Sequence, residues 1–309
     1  TAETYDVIVE PTQEAYTLFA QSMDRSGYAR GTLAVRSGLV APVPELDPRP
    51  LVTMADMGMA GMDHGSMGGM GDMAGMDRSK MASMGDSSMD GMSGMDGGSM
   101  ASMNHGAKQD ISGMEGMAGM DHSKMSMEGM GGMGDMQSHP KTEANNPLVD
   151  MQAMSTSPKL DDPGMGLRDN GRKVLTYSDL RSTFEDPDGR EPSRTIELHL
   201  TGHMEKFSWS FNGVKFSDAE PVKLKYGERV RIVLVNDTMM THPIHLHGMW
   251  SDLEDENGQF LVRKHTIDMP PGSKRSYRVT ADALGRWAYH CHLLYHMEMG
   301  MFREVRVEE

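Results

Sequence analysis

Near its C-terminus the chain reads His290-Cys291-His292-Leu293-Leu294-Tyr295-His296-Met297-Glu298-Met299-Gly300-Met301. Cys291 is the single cysteine of the chain, and it is followed at intervals of five residues by His296 and Met301. One short loop therefore offers a thiolate, an imidazole and a thioether, which are all soft or borderline metal ligands. A further histidine is available upstream, in His242-Pro243-Ile244-His245-Leu246-His247-Gly248.

The position of the cysteine between two histidines predicts two metal sites. In an extended strand, alternation would point His290 and His292 to one face and Cys291 to the other. The thiolate could then bind one metal while its neighbours bind another, with a short covalent path between them. A lone buried cysteine is usually a small hydrophobic residue. Here its clustering with histidines indicates a ligand, and a thiolate with a thioether favours copper over zinc.

The upstream motif follows the same alternation. His245 and His247 would share one face, and Pro243 restricts the backbone of His242, which can point away from that pair. An isolated His-x-His is usually a surface or core feature of a strand, but two such clusters on one predicted domain indicate metal binding. We assign a mononuclear blue-copper site to His242, Cys291, His296 and Met301. We assign a second, imidazole-only site to His245, His247, His290 and His292.

The composition of the chain limits the kinds of partner that the protein can bind. The net charge of −15 argues against nucleic acid and leaves cations as natural ligands. One cysteine rules out an intramolecular disulfide and a cysteine-rich zinc site. No apolar run is long enough to cross a bilayer.

Strand and turn signals predict an all-β protein. Residues 1–36 read as the last strands of a preceding domain, with strands at 5–9, 15–20 and 29–35, and the proline-rich residues 37–53 read as a linker. A methionine-rich segment at 54–136 and a polar linker at 137–171 follow. Residues 172–309 predict a Greek-key β-sandwich. Its candidate strands are 173–178, 195–201, 206–211, 221–226, 229–236, 243–247, 259–262, 274–280, 286–291 and 302–307.

The methionine-rich segment is the second informative feature. It holds 23 of the 35 methionines, spaced by glycine, alanine, serine and aspartate. Thioethers bind Cu(I) without deprotonation, so the segment predicts copper gathering, whereas the alternative is a flexible linker. The most specific candidates for Cu(I) binding there are Met62, His64, Met120 and His122.

Two acidic residues after the upstream histidine motif allow two interpretations. Asp252 and Glu254 could attract Cu(I) near the mononuclear copper site. The simpler interpretation is a solvated hairpin with a type I′ turn at Asn257-Gly258. Trp250, Trp287 and Tyr289 are expected to pack in the core or around the copper site.

Together the motifs His-Pro-Ile-His-Leu-His-Gly and His-Cys-His-x3-His-x4-Met resemble the C-terminal domain of the laccase-like multicopper oxidases. The stretches 226–230 and 234–240 and the methionine-rich segment resemble the bacterial copper-resistance branch of that family. The resemblance implies a cupredoxin fold and an enzyme with four coppers. Type 1 copper would be bound by His242, Cys291, His296 and Met301, type 2 copper by His245, and the type 3 pair by His247, His290 and His292.

In such an enzyme, electrons from Cu(I), and also from phenols, would enter at type 1 copper. They would pass through Cys291 to His290 and His292, and would reduce dioxygen to water at a trinuclear centre. These three residues are the catalytic candidates. The family pattern places the enzyme in the periplasm, although the chain shows no export signal.

The sequence departs from the family in lacking two further His-x-His motifs. His64, His105, His122 and His139 are isolated, and His199 and His203 have the wrong spacing. We therefore expect a C-terminal portion of the enzyme, without its own N-terminus, that needs a missing cupredoxin domain to reduce dioxygen. The alternative is a non-catalytic copper-sequestering or electron-transfer cupredoxin.

Overall fold

Apolar and β-branched residues that alternate with polar ones build the strands of this protein. A computed structural model describes residues 2–59 and 136–309. Eleven strands form the C-terminal sandwich: β3 (Arg194–His203), β4 (Ser208–Phe211), β5 (Val222–Lys225), β6 (Arg229–Asn236), β7 (His242–Leu246), β8 (Ser251–Glu254), β9 (Phe260–Lys264), β10 (Thr266–Met269), β11 (Lys274–Thr280), β12 (Gly285–Cys291) and β13 (Phe302–Glu308). A short helix, α1 (Leu294–Glu298), follows β12.

Two sheets share one core. The first has the order β10-β7-β12-β13-β5, and the second has the order β4-β3-β6-β11-β8-β9. Most neighbours are antiparallel, but β13 with β5 and β3 with β6 are parallel. Buried side chains from both sheets fill the space between them, including Phe211, which stacks on Tyr289 with ring centroids 5.5 Å apart. The prediction of an all-β, cupredoxin-like sandwich is confirmed.

The N-terminal residues form a separate hairpin. Strands β1 (Ala15–Gln21) and β2 (Tyr28–Ala34) pair only with each other, and residues 5–9 form no strand. Residues 37–53 have no regular structure. The assignment of residues 1–36 to the end of a preceding cupredoxin domain stays a prediction.

The segment 137–171 does not behave as the free polar linker that its composition predicted. It has no strands, yet Ala153 and Leu160 are buried and Ser157 bridges to Ser273 of the sandwich. Arg275 donates to the carbonyl groups of Pro158 and Lys159. Prolines and polar residues predict irregular backbone, but they do not prevent that backbone from packing against a sheet.

Within residues 172–309, three further strand predictions were wrong: one predicted strand is absent and two strands were missed. Residues 173–178 form no strand, and a single 3-10 turn at Tyr177–Asp179 lies there, with a second turn at Phe216–Asp218. Strand β8 was missed because its charged side chains are buried, and strand β10 was missed because it is very short. In the described residues, no helix is long and apolar enough to span a membrane.

Candidate metal centre

The pairing of β7 with β12 places the two histidine motifs side by side. His290 lies opposite His245, and Cys291 lies opposite Ile244. Because side chains alternate along each strand, Cys291 points into the core, while His290 and His245 point to the outer face of the sheet. The two faces of one strand pair therefore carry two different sets of metal-ligating groups.

Inside the core, three donor atoms form a triangle. His242 Nδ1 lies 3.6 Å from Cys291 Sγ, His296 Nδ1 lies 3.9 Å from that sulfur, and the two nitrogens are 3.1 Å apart. Metal bonds of about 2.0 Å to nitrogen and about 2.3 Å to sulfur would separate donors in a trigonal ring by about 3.5–3.7 Å. The residues present therefore fit a His2Cys metal site.

Met301 closes the loop that holds this triangle. Its N–H donates to the carbonyl of His296 at 3.0 Å, and its own carbonyl accepts from the N–H of Cys291 at 3.1 Å. The side chain of Met301 is fully buried. Gly300 has a φ of +120°, in the region that favours glycine, and it makes the turn before Met301.

Burial sets the protonation of the three donors in favour of a metal. It lowers the pKa of His242 well below its usual value and that of His296 to about 4, so both imidazoles keep free lone pairs near neutral pH. Burial also raises the pKa of the Cys291 thiol to about 12. A bound cation would be needed to stabilise the thiolate, and binding would release its proton.

A chain of hydrogen bonds orients His242. Its Nε2 lies 2.7 Å from Thr238 Oγ1, and that hydroxyl donates to Asn236 Oδ1 at 2.9 Å. Asn236 in turn donates to the carbonyl groups of Met240 and Met269. The Nε2 of His242 therefore carries the proton, which leaves Nδ1 free to bind the metal.

An aromatic ring that the sequence argument missed covers the site. Trp209 of β4 stacks on His296 with ring centroids 4.0 Å apart, and its ring centroid lies 5.3 Å from that of His242. Of the aromatic residues expected there, Trp250 is exposed and Trp287 packs under Gly248. Tyr289 lies in the core and hydrogen bonds to Tyr277. Trp209 has no nearby motif in sequence that could have identified it.

On the outer face, four imidazoles form a second group, which we call the imidazole face: His245, His247, His290 and His292. Ring centroids of neighbouring members lie 4.5–5.8 Å apart. His247 Nε2 and His290 Nε2 are 3.0 Å apart. In the described part of the chain, no three of these rings bring one nitrogen each within 4.8 Å of one another, so the four rings leave the ligand set open rather than closing around one metal position. His247 is exposed, His245 and His292 are half-buried, and His290 is buried.

Backbone acceptors fix two of these rings. The Nδ1–H of His245 donates to the carbonyl of His265 at 2.5 Å, and the Nδ1–H of His290 donates to the carbonyl of Cys291 at 2.9 Å. Both rings therefore keep Nε2 available as a ligand atom. Burial lowers the pKa of both histidines, which favours the neutral form that binds metals.

The two acidic residues proposed to attract Cu(I) are buried in ion pairs. Asp252 bonds to Arg263 at 2.8 Å, and Glu254 bonds to Arg231 and Arg278, each at 2.7 Å. Both carboxylates lie on β8, in the sheet opposite the histidine motifs. Because arginines already neutralise them, this arrangement contradicts a docking role for Cu(I).

The interpretation of this region as a hairpin is right in part. A hairpin does form here, although β8 was not among the predicted strands, and the carboxylates of β8 are buried rather than solvated. The connection is not a type I′ turn, because only Gly258 has a positive φ (+73°) and Asn257 does not. Met62, His64, Met120 and His122 lie outside the described residues.

Comparison with known proteins gives the family. The multicopper oxidase model matches residues 189–309. Copper resistance protein A of Escherichia coli is 74% identical over 315 residues, which cover all of this chain and 48% of that protein. Copper resistance protein A of Pseudomonas syringae pv. tomato is 78% identical over 308 residues, covering all of this chain and 49% of that protein. The chain thus spans about half the length of these curated relatives.

Structural comparison adds little to these sequence matches. A multicopper oxidase from Campylobacter jejuni, described as a metallo-oxidase, is 23% identical with a TM-score of 0.34. The match covers 39% of this chain and 31% of that structure, too limited a likeness to support the assignment. The assignment rests on the sequence relatives and on the family model. The chain belongs to the multicopper oxidase family.

Proposed function

We propose that this chain is part of a copper-dependent oxidoreductase of copper resistance, which oxidises Cu(I) and passes the electrons to dioxygen. The observation that carries the proposal is the end of β12, where Cys291 joins the buried donor triangle and its neighbours His290 and His292 join the imidazole face. Family membership and the similarity to proteins named copper resistance protein A support the role of a copper oxidase.

The ligand assignments follow the two groups of donors. We propose His242, Cys291, His296 and Met301 for type 1 copper, His245 for type 2 copper, and His247, His290 and His292 for the type 3 pair. Copper at these positions would supply reversible one-electron chemistry, which none of the side chains provides alone.

Each residue of the site has a task that its contacts support. Thr238 holds His242 in one tautomer, and Trp209 holds the ring of His296 by stacking. Cys291 links the two donor groups covalently, because its backbone continues directly into His290 and His292. The bond from His290 Nδ1–H to the carbonyl of Cys291 provides a second short connection between them.

The open imidazole face supports the proposal of a partner domain. Four imidazoles supply half of the donors of a trinuclear centre, and we propose that a cupredoxin domain elsewhere in the full-length protein supplies the rest. This chain alone would then bind copper without reducing dioxygen. The same openness favours the second candidate function, a copper-sequestering or electron-transfer cupredoxin.

The substrate and the location are proposed from the chemistry of the chain. The methionine-rich segment offers thioethers for Cu(I) in a thiol-poor, oxidising compartment, which the periplasm provides. Met62, His64, Met120 and His122 stay our candidates for that binding, and phenols are a second class of electron donor. Asp252 and Glu254 have no part in the proposal.

The decisive experiment measures dioxygen uptake by the copper-loaded, full-length protein when Cu(I) is added. Uptake with intense blue absorption is expected. In the Cys291→Ser variant, both blue absorption and Cu(I) oxidation should be lost, because serine cannot provide the thiolate. Met299→Leu is the matched control: it changes an exposed methionine of the same loop and should keep colour and turnover.

The outcomes separate the hypotheses. Blue absorption without dioxygen uptake would contradict the oxidase and favour the electron-transfer or sequestering protein. Retention of the blue colour in Cys291→Ser would contradict the ligand assignment itself.

A further inference from the structure

Four ionisable side chains from distant parts of the chain meet outside the sites described above. His199 lies on β3, Asp237 directly follows β6, and His139 and Glu143 come from the segment that follows the methionine-rich region. One ligand atom from each lies within 4.8 Å of those of the others. We call these four residues the His139 cluster.

Their inner atoms converge. His199 Nδ1 lies 2.6 Å from Asp237 Oδ2, and His139 Nδ1 lies 3.4 Å from that same oxygen. His139 Nδ1 is also 3.4 Å from Glu143 Oε2, and His199 Nδ1 is 3.9 Å from Glu143 Oε1. The three separations of 3.4–3.9 Å are close to those between ligands that share one small cation, whereas the 2.6 Å contact is a hydrogen bond that a cation would replace.

The outer atoms of both imidazoles are held by acceptors. His139 Nε2 lies 3.0 Å from the carbonyl oxygen of Ala153, and His199 Nε2 lies 3.1 Å from Glu197 Oε1. A carbonyl can only accept, and an ionised carboxylate likewise, so each imidazole carries a proton on Nε2. Both Nδ1 atoms face the inner carboxylates, which are acceptors as well, so a second proton lies there when no cation is bound, in agreement with the raised pKa of both histidines. A cation would displace these protons and bind the Nδ1 atoms directly. Metal-binding histidines are oriented in this way.

The carboxylates are anchored in the same manner. Ala153 N–H donates to Asp237 Oδ1, and Gln152 Nε2–H donates to Glu143 Oε2, each at 2.9 Å. Both carboxylate side chains are fully buried. One oxygen of each carboxylate is thus positioned by a donor, which orients the group toward the centre of the cluster.

Two buried atoms of the cluster have no hydrogen-bond partner. They are His139 Nδ1 and Glu143 Oε1. Buried polar atoms without a partner destabilise a protein. Two buried carboxylates that face two imidazole nitrogens also require a positive charge in the centre of the cluster. Two neutral imidazoles and two carboxylates carry a charge of −2, which a divalent cation would balance.

We propose that the His139 cluster is a four-coordinate site for a borderline divalent transition cation of the class of Zn²⁺ or Cu²⁺. Two imidazole nitrogens and two carboxylate oxygens suit such a cation, while Ca²⁺ and Mg²⁺ favour ligand sets of oxygen alone and Cu(I) favours sulfur. The bound cation fastens residues 139–143 to β3 and to the end of β6. It therefore anchors the chain directly after the methionine-rich segment.

The experiment uses Zn²⁺ as the probe and the full chain with its blue-copper site already loaded with copper. Zinc stoichiometry and affinity are measured by calorimetry for the native protein and for His139→Asn and Glu143→Gln. Both substitutions lie away from β7 and β12, so the imidazole face should bind the same amount of zinc in every sample. His203→Asn is the matched control, since His203 ends the same strand as His199 but is outside the cluster.

We expect both cluster variants to bind one zinc fewer than the native protein, or to bind that zinc at least 100-fold more weakly, with the control unchanged. Equal zinc binding in all samples would overturn the proposal and leave a buried network held together by protons. A zinc-edge anomalous map of native crystals does not depend on the folding of any variant. A peak between the four side chains supports the site, and its absence after zinc loading refutes it.

Discussion

At the scale of single residues, the hydroxyl of Thr238 decides which nitrogen of His242 is free to bind a metal. Because the hydroxyl proton is donated to Asn236 Oδ1 or to the carbonyl of Met240, its oxygen can only accept from the imidazole. The imidazole proton is therefore held on Nε2, and Nδ1 faces Cys291. Residues that orient metal ligands commonly change metal affinity by 10–100-fold when they are lost.

Thr238→Val should lower the affinity of the proposed blue-copper site for copper by about 10–100-fold, because valine has the same shape but cannot accept the hydrogen bond. Copper titration followed by the blue absorption measures the effect. Thr280→Val is the control, since it removes a half-buried hydroxyl that bonds to Asp188 instead. Equal copper affinity in Thr238→Val and the native protein would contradict the proposed role of the hydroxyl.

At the scale of elements, the pairing of β3 with β4 positions the ring that covers His296. Gly202 lies opposite Trp209 in this pair, and a Cβ on Gly202 would lie 2.5 Å from Trp209 Cε3. Because Gly202 has no side chain, the indole of Trp209 can reach the imidazole of His296, and the two ring centroids are 4.0 Å apart.

Gly202→Ala should displace the indole and destabilise the protein by about 1–3 kcal/mol, as extra methyl groups do in packed cores. The blue absorption should also change, because the ring of His296 loses its support. Denaturant unfolding and visible spectra of the copper-loaded protein test both effects. Gly31→Ala in β2, where the nearest atoms would lie 3.7 Å away, should change neither.

At the scale of the whole molecule, the N-terminal segment is fastened to the sandwich around Glu3. That carboxylate pairs with Lys264 at 3.2 Å and accepts a bond from Tyr177. Asp268 of β10 lies in the same region. Burial raises the pKa of Asp268 to about 6, with Glu3 acting in the same direction and Arg275 opposing it.

This raised pKa has a defined effect on stability. Between the unfolded value of 3.8 and the folded value of about 6, the folded protein holds more protons at Asp268 than the unfolded chain does. The contribution of Asp268 to stability is therefore greatest at low pH and decreases as the pH rises through that range. Other carboxylates have lowered pKa values, such as Glu254, where bonds from Arg231 and Arg278 outweigh burial, and they act in the opposite direction.

Asp268→Asn should stabilise the protein at neutral pH by about 1–3 kcal/mol, because the amide carries no charge to be buried. The gain should shrink toward pH 4. Unfolding by denaturant across this pH range measures it, with the exposed Asp218→Asn as the control. A gain that does not vary with pH would contradict the titration of Asp268 as its cause.

Much of the fold followed from local pattern. Strand β6 was predicted with its observed ends, and β11 likewise, because turn signals flank both. Apolar residues dominate β6, whereas in β11 only Tyr277 and Val279 are apolar and they alternate with polar residues. Strand β8 was missed because Asp252 and Glu254 look like surface residues in sequence. Their burial is tolerable only because arginines of neighbouring strands, 11 to 24 residues away in sequence, pair with them.

The sequence by itself determined the two groups of candidate metal-binding residues, because spacing along a strand decides which face each side chain takes. His290 and His292 had to oppose Cys291 once β12 was extended. Tertiary structure alone decided which residues support these candidate ligands, and where a further cluster of ionisable side chains forms. Trp209, Thr238 and the His139 cluster come together through space: His139 and His199 are 60 residues apart and share no motif. Covalent spacing controls orientation over a few residues, whereas sheet pairing and packing control everything beyond.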